Sequence, residues 1–232
     1  MATSARRRRP GPRRAFSRDE LLDTAERLLD DGGPNAASIR GIARTVGVAP
    51  NAVYTYFADK AAVVNALAER LLARVDHGVF ADASQPWRQR VESLALELRT
   101  RLTAHPGAAS LMIEAPMDGP HARLLTERLL GLFADAGLDP IEAARACHLL
   151  TVYVFGSVTL EVTDPHQPGP LPSESDRITA RHRTLAAVPP DRYPHTAAAA
   201  ATLADAVSTE QYLWGLTRVL DAIAATIQPP PA

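Results

Sequence analysis

One cysteine, Cys147, stands among 232 residues, so the chain has no internal disulfide and nothing in it points to an oxidising compartment. Cys147 sits in an apolar helical stretch and reads as a buried, inert thiol. No stretch approaches the ~18 uncharged apolar residues of a membrane span. The longest candidate, residues 147–160, is too short and contains His148, Thr151 and Tyr153. The N-terminal arginines lack an apolar segment behind them, so no secretory signal is read; a cytoplasmic protein with no membrane partner is expected. Strict apolar–polar alternation is missing too, which leaves no candidate strand. None of the seven histidines falls at a catalytic or HExxH-like spacing and Cys147 has no dyad partner, so no catalytic residue, metal ligand or cofactor is expected. Aromatic residues make up only 5% of the chain, yet Tyr54, Tyr56 and Phe57 fall within four positions.

The net charge of −1 hides an asymmetry. Residues 1–60 carry 11 Lys+Arg against 7 Asp+Glu, and the rest carries 14 against 19. A basic N-terminal quarter on an acidic body suggests that one end meets a polyanion. The extreme is RRRRPGPRR, six arginines with two prolines and no apolar anchor, which reads as a disordered arm over residues 1–15. Such an arm lies along phosphates or enters a minor groove, as homeodomain arms do, or it is a solvated tail.

The remainder is periodic at the helical spacing, and the expected class is all-α. Ser17 with Glu20 three residues on is a capping box, ahead of a stripe of Leu21, Leu22, Ala25, Leu28 and Leu29 that ends at Gly32-Gly33. Ser38 caps a short second helix (Ile39, Ile42, Ala43, Val46), stopped by Gly47. Pro50 suits the first position of a third helix, expected to run to about Phe57 because Asp59 looks like the next cap. Two short helices joined by a glycine turn make a helix-turn-helix. Longer helices are expected over 87–104, 121–136 and 140–163, with a short one over 107–114. A proline-rich loop covers 164–194, with a helix over 175–188 breaking it as the alternative. The last helix is capped by Ser208 and carries Leu213, Leu216, Leu220, Ile223 and Ile227.

On the third helix Val53 and Phe57 fall one turn apart and face inward, which turns Asn51, Ala52, Thr55 and Tyr56 outward, with Tyr54 at the boundary. Two phenols, an amide and a hydroxyl with no acid among them suit DNA: phenols and hydroxyls donate to phosphates, and Asn reads adenine bidentately. Lys60 adds a phosphate contact at a helix start, and Arg40 reaches phosphate or guanine beside the turn. The plainer alternative makes the tyrosines boundary residues of a small bundle and Lys60 a solvated charge.

The stretch SIRGIARTVGVAPNAVYTYFADK, within residues 17–67, resembles the DNA-binding domain of the TetR family of transcriptional repressors. The resemblance implies Ser38, Arg40, Asn51, Ala52, Tyr54 and Tyr56 as DNA-facing positions and Lys60 as a phosphate anchor. Ala49 departs from it: where the family often has a capping Ser or Thr, alanine neither caps nor bonds a phosphate. Base reading then falls on Asn51, Arg40 and Thr55.

Further on, HPGAASLMIEAP, AGLDP, VFGSVTLE and EQYLWGLTRVLDAI resemble a tetracycline-repressor-type C-terminal domain. That implies a helical body over 66–228, following a DNA-binding domain over 16–65, that binds a small-molecule effector and forms a homodimer on a palindromic operator. Helices 140–163 and 208–227 would pair with their two-fold mates, their stripes otherwise closing the monomer's own core. Trp87, Met112, Met117, Phe133, His148, Tyr153 and Phe155 are the expected pocket residues, large and adaptable with a few polar handles. The family's metal-binding His aligns near Leu111, which cannot ligate, so tetracycline is not the expected effector. The alternative function is a carrier or enzyme with a vestigial DNA module.

Overall fold

A computed structural model describes residues 16–33, 35–163 and 170–227, and among the described residues every regular element is helical. Helix α1 (Arg18–Gly32) opens on the expected capping box: Ser17 Oγ accepts from the Glu20 amide at 3.1 Å, and Glu20 Oε2 from the Ser17 amide at 3.0 Å. Helix α2 (Ile39–Val46) is stopped by Gly47, whose left-handed backbone (φ 75°, ψ 34°) lets its amide reach the Ala43 and Arg44 carbonyls. Helix α3 spans only Pro50–Tyr54, shorter than the expected run to Phe57. Ala49 offers it no side-chain cap, and the chain must already turn to place Asp59, whose Oδ1 caps α4 (Lys60–Ala73) at the Ala62 amide. Leu21, Leu22, Ala25, Leu29, Ile42, Ala43, Val53 and Phe57 close the core of these short helices, with Leu28 and Val46 against them.

After a 3-10 turn at His77–Phe80 come α5 (Trp87–Ala104), α6 (Pro106–Met112), α7 (Pro120–Asp135) and α8 (Pro140–Val162). Then follow α9 (Glu174–Ala186), α10 (Pro194–Ala198), α11 (Ala200–Ala204) and α12 (Thr209–Ala224). Within the expected loop over 164–194, the helix weighed at 175–188 forms as α9, with Ser173 capping it at the Asp176 amide. The expected arm, residues 1–15, lies outside the described residues, as do 164–169.

Helix α8 is more apolar than a search for unbroken runs suggested. An 18-residue window within it reaches a mean hydropathy of 1.3, and by length and composition alone the helix is able to cross a membrane. Here it is the spine of the body. Ala143, Cys147, Leu150, Val154, Val158 and Val162 face α5, α6, α7 and α12, while Ile141, Leu149, Val152 and Leu160 are exposed. Helix α12 corrects the expected dimer seam. Leu216, Leu220 and Ile223 are buried inside the protomer, so that stripe closes the chain's own core, and Trp214 is the large residue left outside. Helical spacing marks an apolar face without saying which helix covers it.

The body also buries a charged network. Arg99 donates through Nε and Nη2 to both oxygens of Glu161, at 2.9 and 2.8 Å, and Arg177 Nη2 donates to Glu161 Oε1 at 2.8 Å. Thr209 Oγ1 accepts from Arg99 Nη1 and donates to Glu174 Oε2, each at 2.7 Å. Four helices, α5, α8, α9 and α12, meet on this cluster.

Candidate nucleic-acid interface and body cavity

Burying Ile42, Ala43, Val53 and Phe57 forces the opposite sides of α2 and α3 outward. Arg40, Asn51, Ala52, Tyr54, Thr55, Tyr56 and Lys60 are all exposed, and Ser38 is half-buried. Among the described residues the side chains of Arg40, Asn51, Tyr54 and Lys60 hold no hydrogen bond or ion pair, so each has its full donor capacity for a ligand. Three expected positions are engaged. Ser38 Oγ accepts from the Gly41 amide at 3.0 Å and is first of all the cap of α2. Thr55 Oγ1 donates back to the Asn51 carbonyl at 3.3 Å, which takes it out of base reading as a donor. The Tyr56 hydroxyl donates to the Phe16 carbonyl at 2.5 Å, so its only hydrogen serves the fold. Arg44 was missed by sequence reasoning. It is exposed one turn after Arg40, without a partner among the described residues, and that i, i+4 spacing was the available signal.

Between α5, α7 and α8 lies a small pocket of about 30 Å³, open to solvent at Thr151 and lined by Leu94, Ala95, Leu98, Leu125, Leu129, Leu150, Thr151, Val154 and Phe155. Of the seven expected pocket residues Phe155 alone lines it. Trp87 meets Phe133 edge-on with ring centroids 5.9 Å apart, and Phe133 is fully buried. Met112 is core and Met117 is half-buried in the α6–α7 connection. Tyr153 donates to the Tyr212 carbonyl at 2.6 Å, which stitches α8 to α12. His148 is exposed on the outer face of α8 with Val152. Large, adaptable side chains were favoured in the sequence, whereas this pocket is walled, beside Phe155 and Thr151, by ordinary aliphatic ones that no pattern separates from core.

A larger groove, about 330 Å³, lies where α4 meets α5, beside Leu71, Arg74, Glu97, Arg101 and His105. Its charges are partnered within the chain: Arg101 with Glu97 at 2.7 Å, Arg74 with Glu26 at 3.1 Å and His105 with Asp30 at 3.1 Å. None of these pairs joins α4 to α5: Arg101 and Glu97 lie on α5 itself, while Arg74 and His105 reach α1. Among the described residues no three of His, Cys, Asp and Glu gather as a metal site. Glu161 faces arginines instead, and Leu111 is buried core. Burial pushes the Cys147 thiol up to about 11, which keeps it protonated at neutral pH.

Comparison with known proteins bears on both halves. Residues 21–67 match the model for bacterial regulatory proteins of the tetR family, and residues 81–227 match that for the tetracyclin repressor-like C-terminal domain. An HTH-type transcriptional regulator of Saccharopolyspora erythraea is 28% identical over 152 residues, 66% of this chain and 64% of that protein. The HTH-type transcriptional repressor DrrR1 of Streptomyces coeruleorubidus is 26% identical over 65% of this chain and 56% of its own. The chain thus spans less than two thirds of the length of these curated relatives. A crystal structure of a possible TetR family transcriptional regulator from Streptomyces coelicolor A3(2) superposes with a TM-score of 0.77 at 28% identity, covering 90% of this chain and 99% of that one.

Proposed function

The chain belongs to the tetR family of bacterial regulatory proteins, and on that premise we propose that it is a homodimeric, ligand-responsive repressor that binds a palindromic operator in double-stranded DNA. The observation that carries the reading is that Arg40 and Arg44 of α2, Asn51 of α3 and Lys60 at the start of α4 are all exposed with no partner among the described residues. Asn51 and Arg40 read bases, while Tyr54, Lys60 and Arg44 hold phosphates. Residues 16–65 form the DNA-binding unit and 66–228 the body. Footprinting on the DNA upstream of the protein's own gene, at a salt concentration where non-specific binding has vanished, tests this. Protection of a two-fold symmetric site is expected, and uniform or absent protection rejects it.

One short recognition helix contacts too few bases for an operator, and a two-fold dimer doubles the set. The exposed stripe of α8 (Ile141, Leu149, Val152, Leu160), joined by Trp214 of α12, is the surface that meets its mate. Val152 is 55% exposed in the protomer, so a polar residue there is harmless until a second copy arrives. Val152→Glu then buries two like charges across the axis. Sedimentation should show a monomer at micromolar concentration with an unchanged helical circular dichroism spectrum; a stable dimer would place the interface elsewhere.

The arm belongs to the same face. Tyr56, just past α3, holds the Phe16 carbonyl, so Phe16, the first described residue, lies beside the recognition helix. Six arginines laid along phosphates steepen the fall of log K with log salt. Deleting residues 1–14 should reduce that slope by up to ~5 for each arm, and an unchanged slope makes the arm a solvated tail.

The effector binds in the body between α5, α7 and α8. About 30 Å³ holds little more than a water molecule, whereas small-molecule sites run to several hundred Å³, so the pocket seen is too small for an effector and must be spread. Spreading it shifts the recognition helices relative to their mates and releases the operator, and DNA weakens effector binding by the same factor.

A further inference from the structure

Helix α7 begins without a cap of its own. Its N-cap residue is Gly119, which has no side chain to offer. The amides of His121 and Ala122 are satisfied all the same by Glu69 of α4, whose Oε2 accepts from His121 at 2.8 Å and Oε1 from Ala122 at 3.1 Å. Gly119 admits the carboxylate, since a Cβ there would lie 2.1 Å from Glu69 Cδ. A helix that starts in the recognition unit therefore caps one lying 52 residues further on. The bond is charge-assisted and set in the positive end of the α7 dipole.

Helix α7 is also a wall of the small pocket between α5, α7 and α8, through Leu125 and Leu129. Leu125 lies three residues beyond Ala122, about 4.5 Å along the helix axis. The first helices also meet the body where α1 and α4 pack on α6, and a Cβ on Gly107 of α6 would come within 2.4 Å of the Leu29 carbonyl. No described residue of α6 lines the cavity.

Resting on the repressor reading, we infer that Glu69 is the coupling residue between effector and operator, and that the effector is an uncharged, apolar molecule. A ligand that spreads α7 from α5 and α8 moves the first turn of α7, and the Glu69 carboxylate carries that movement into α4 and so to α3. The ligand class follows from the lining. Thr151 is its one polar side chain, and its hydroxyl already donates to the Cys147 carbonyl at 2.8 Å. No charge there meets a charge on the ligand.

The test needs no identified effector. Ala95→Leu adds three carbons to this small pocket and serves as a built-in ligand. Glu69→Ala with Gly119→Asp moves the cap of α7 onto its own N-cap residue, which keeps the helix and severs the link to α4. In the full-length, DNA-free protein, Ala95→Leu should speed amide exchange in residues 60–75 by roughly fivefold with Glu69 present and by less than about twofold in the Glu69→Ala, Gly119→Asp background. On the operator it should weaken binding about tenfold in the first background and leave it unchanged in the second. Equal responses in the two backgrounds, or none in either, overturn the assignment. Should Ala95→Leu fail to fold, Leu129→Phe replaces it. A wild-type protein with no operator at all defeats the repressor reading, while the exchange measurement still decides the role of Glu69.

Discussion

Asn51→Ala is expected to weaken operator binding by between about 30-fold and about 10⁴-fold while non-specific DNA binding is retained. A bidentate side-chain contact to a base edge discriminates by about 1–3 kcal/mol, and a two-fold dimer presents Asn51 twice, which gives about 2–6 kcal/mol. The folded state should not notice. Asn51 is exposed and its side chain holds no partner among the described residues; only its carbonyl is used, by Thr55. Fluorescence anisotropy with the footprinted site and with a scrambled duplex measures both arms of the prediction. Two control variants sharpen it. Thr55→Val should be nearly neutral, because the hydroxyl hydrogen is already directed at the backbone. Lys60→Ala should weaken specific and scrambled DNA alike and flatten the salt dependence by about one unit of slope per protomer. Equal loss on both duplexes for Asn51→Ala would place base reading elsewhere on the face.

What the sequence makes legible here is short-range. The Ser17–Glu20 box, the Ser38 and Asp59 caps and the stop at Gly47 lie within one turn of the amides they serve, so residue type at a fixed spacing announces them. The exposed set followed from the same arithmetic, because burying Val53 and Phe57 leaves only one direction for Asn51 and Ala52. The engaged hydroxyl of Tyr56 escaped it, since Phe16 is 40 residues away in the chain. So did Glu69 and Gly119, and Arg99 and Glu161: a glutamate in a helix looks the same whether it meets water or a distant helix end. The cavity was hidden for another reason. Leucine, alanine and valine fill a core and line a cavity with equal ease, and only the final packing leaves the gap.

The second large effect lies in the buried charges. Glu161→Gln keeps the shape of the side chain and removes the negative charge shared by two buried guanidinium groups. Breaking such a network from one side costs about 3–5 kcal/mol, because the groups left behind remain desolvated without their counter-charge. For a chain of this size that lowers Tm by about 6–20 °C, which calorimetry resolves easily. A residual effect below about 1 kcal/mol would mean that the arginines swing out to water. The loss should also be local. Helix α9 has no fully buried residue, so its hold on the body is chiefly polar: Arg177 on Glu161, and Glu174 on Arg99 and Thr209. Glu161→Gln should therefore expose α9 to proteolysis before the rest of the body. Acid should do the same late in a titration. Burial pushes the Glu174 carboxyl up, but hydrogen bonds from Thr209 and Arg99 outweigh it and leave the group below its ordinary value. A depressed carboxyl stabilises the fold above the unfolded-state value of about 4.3 and loses that contribution as the pH falls through the folded value. Helix α9 should thus stay docked through mildly acidic pH and release only below the usual carboxylate range, whereas in Glu161→Gln it should already be cleavable at neutral pH.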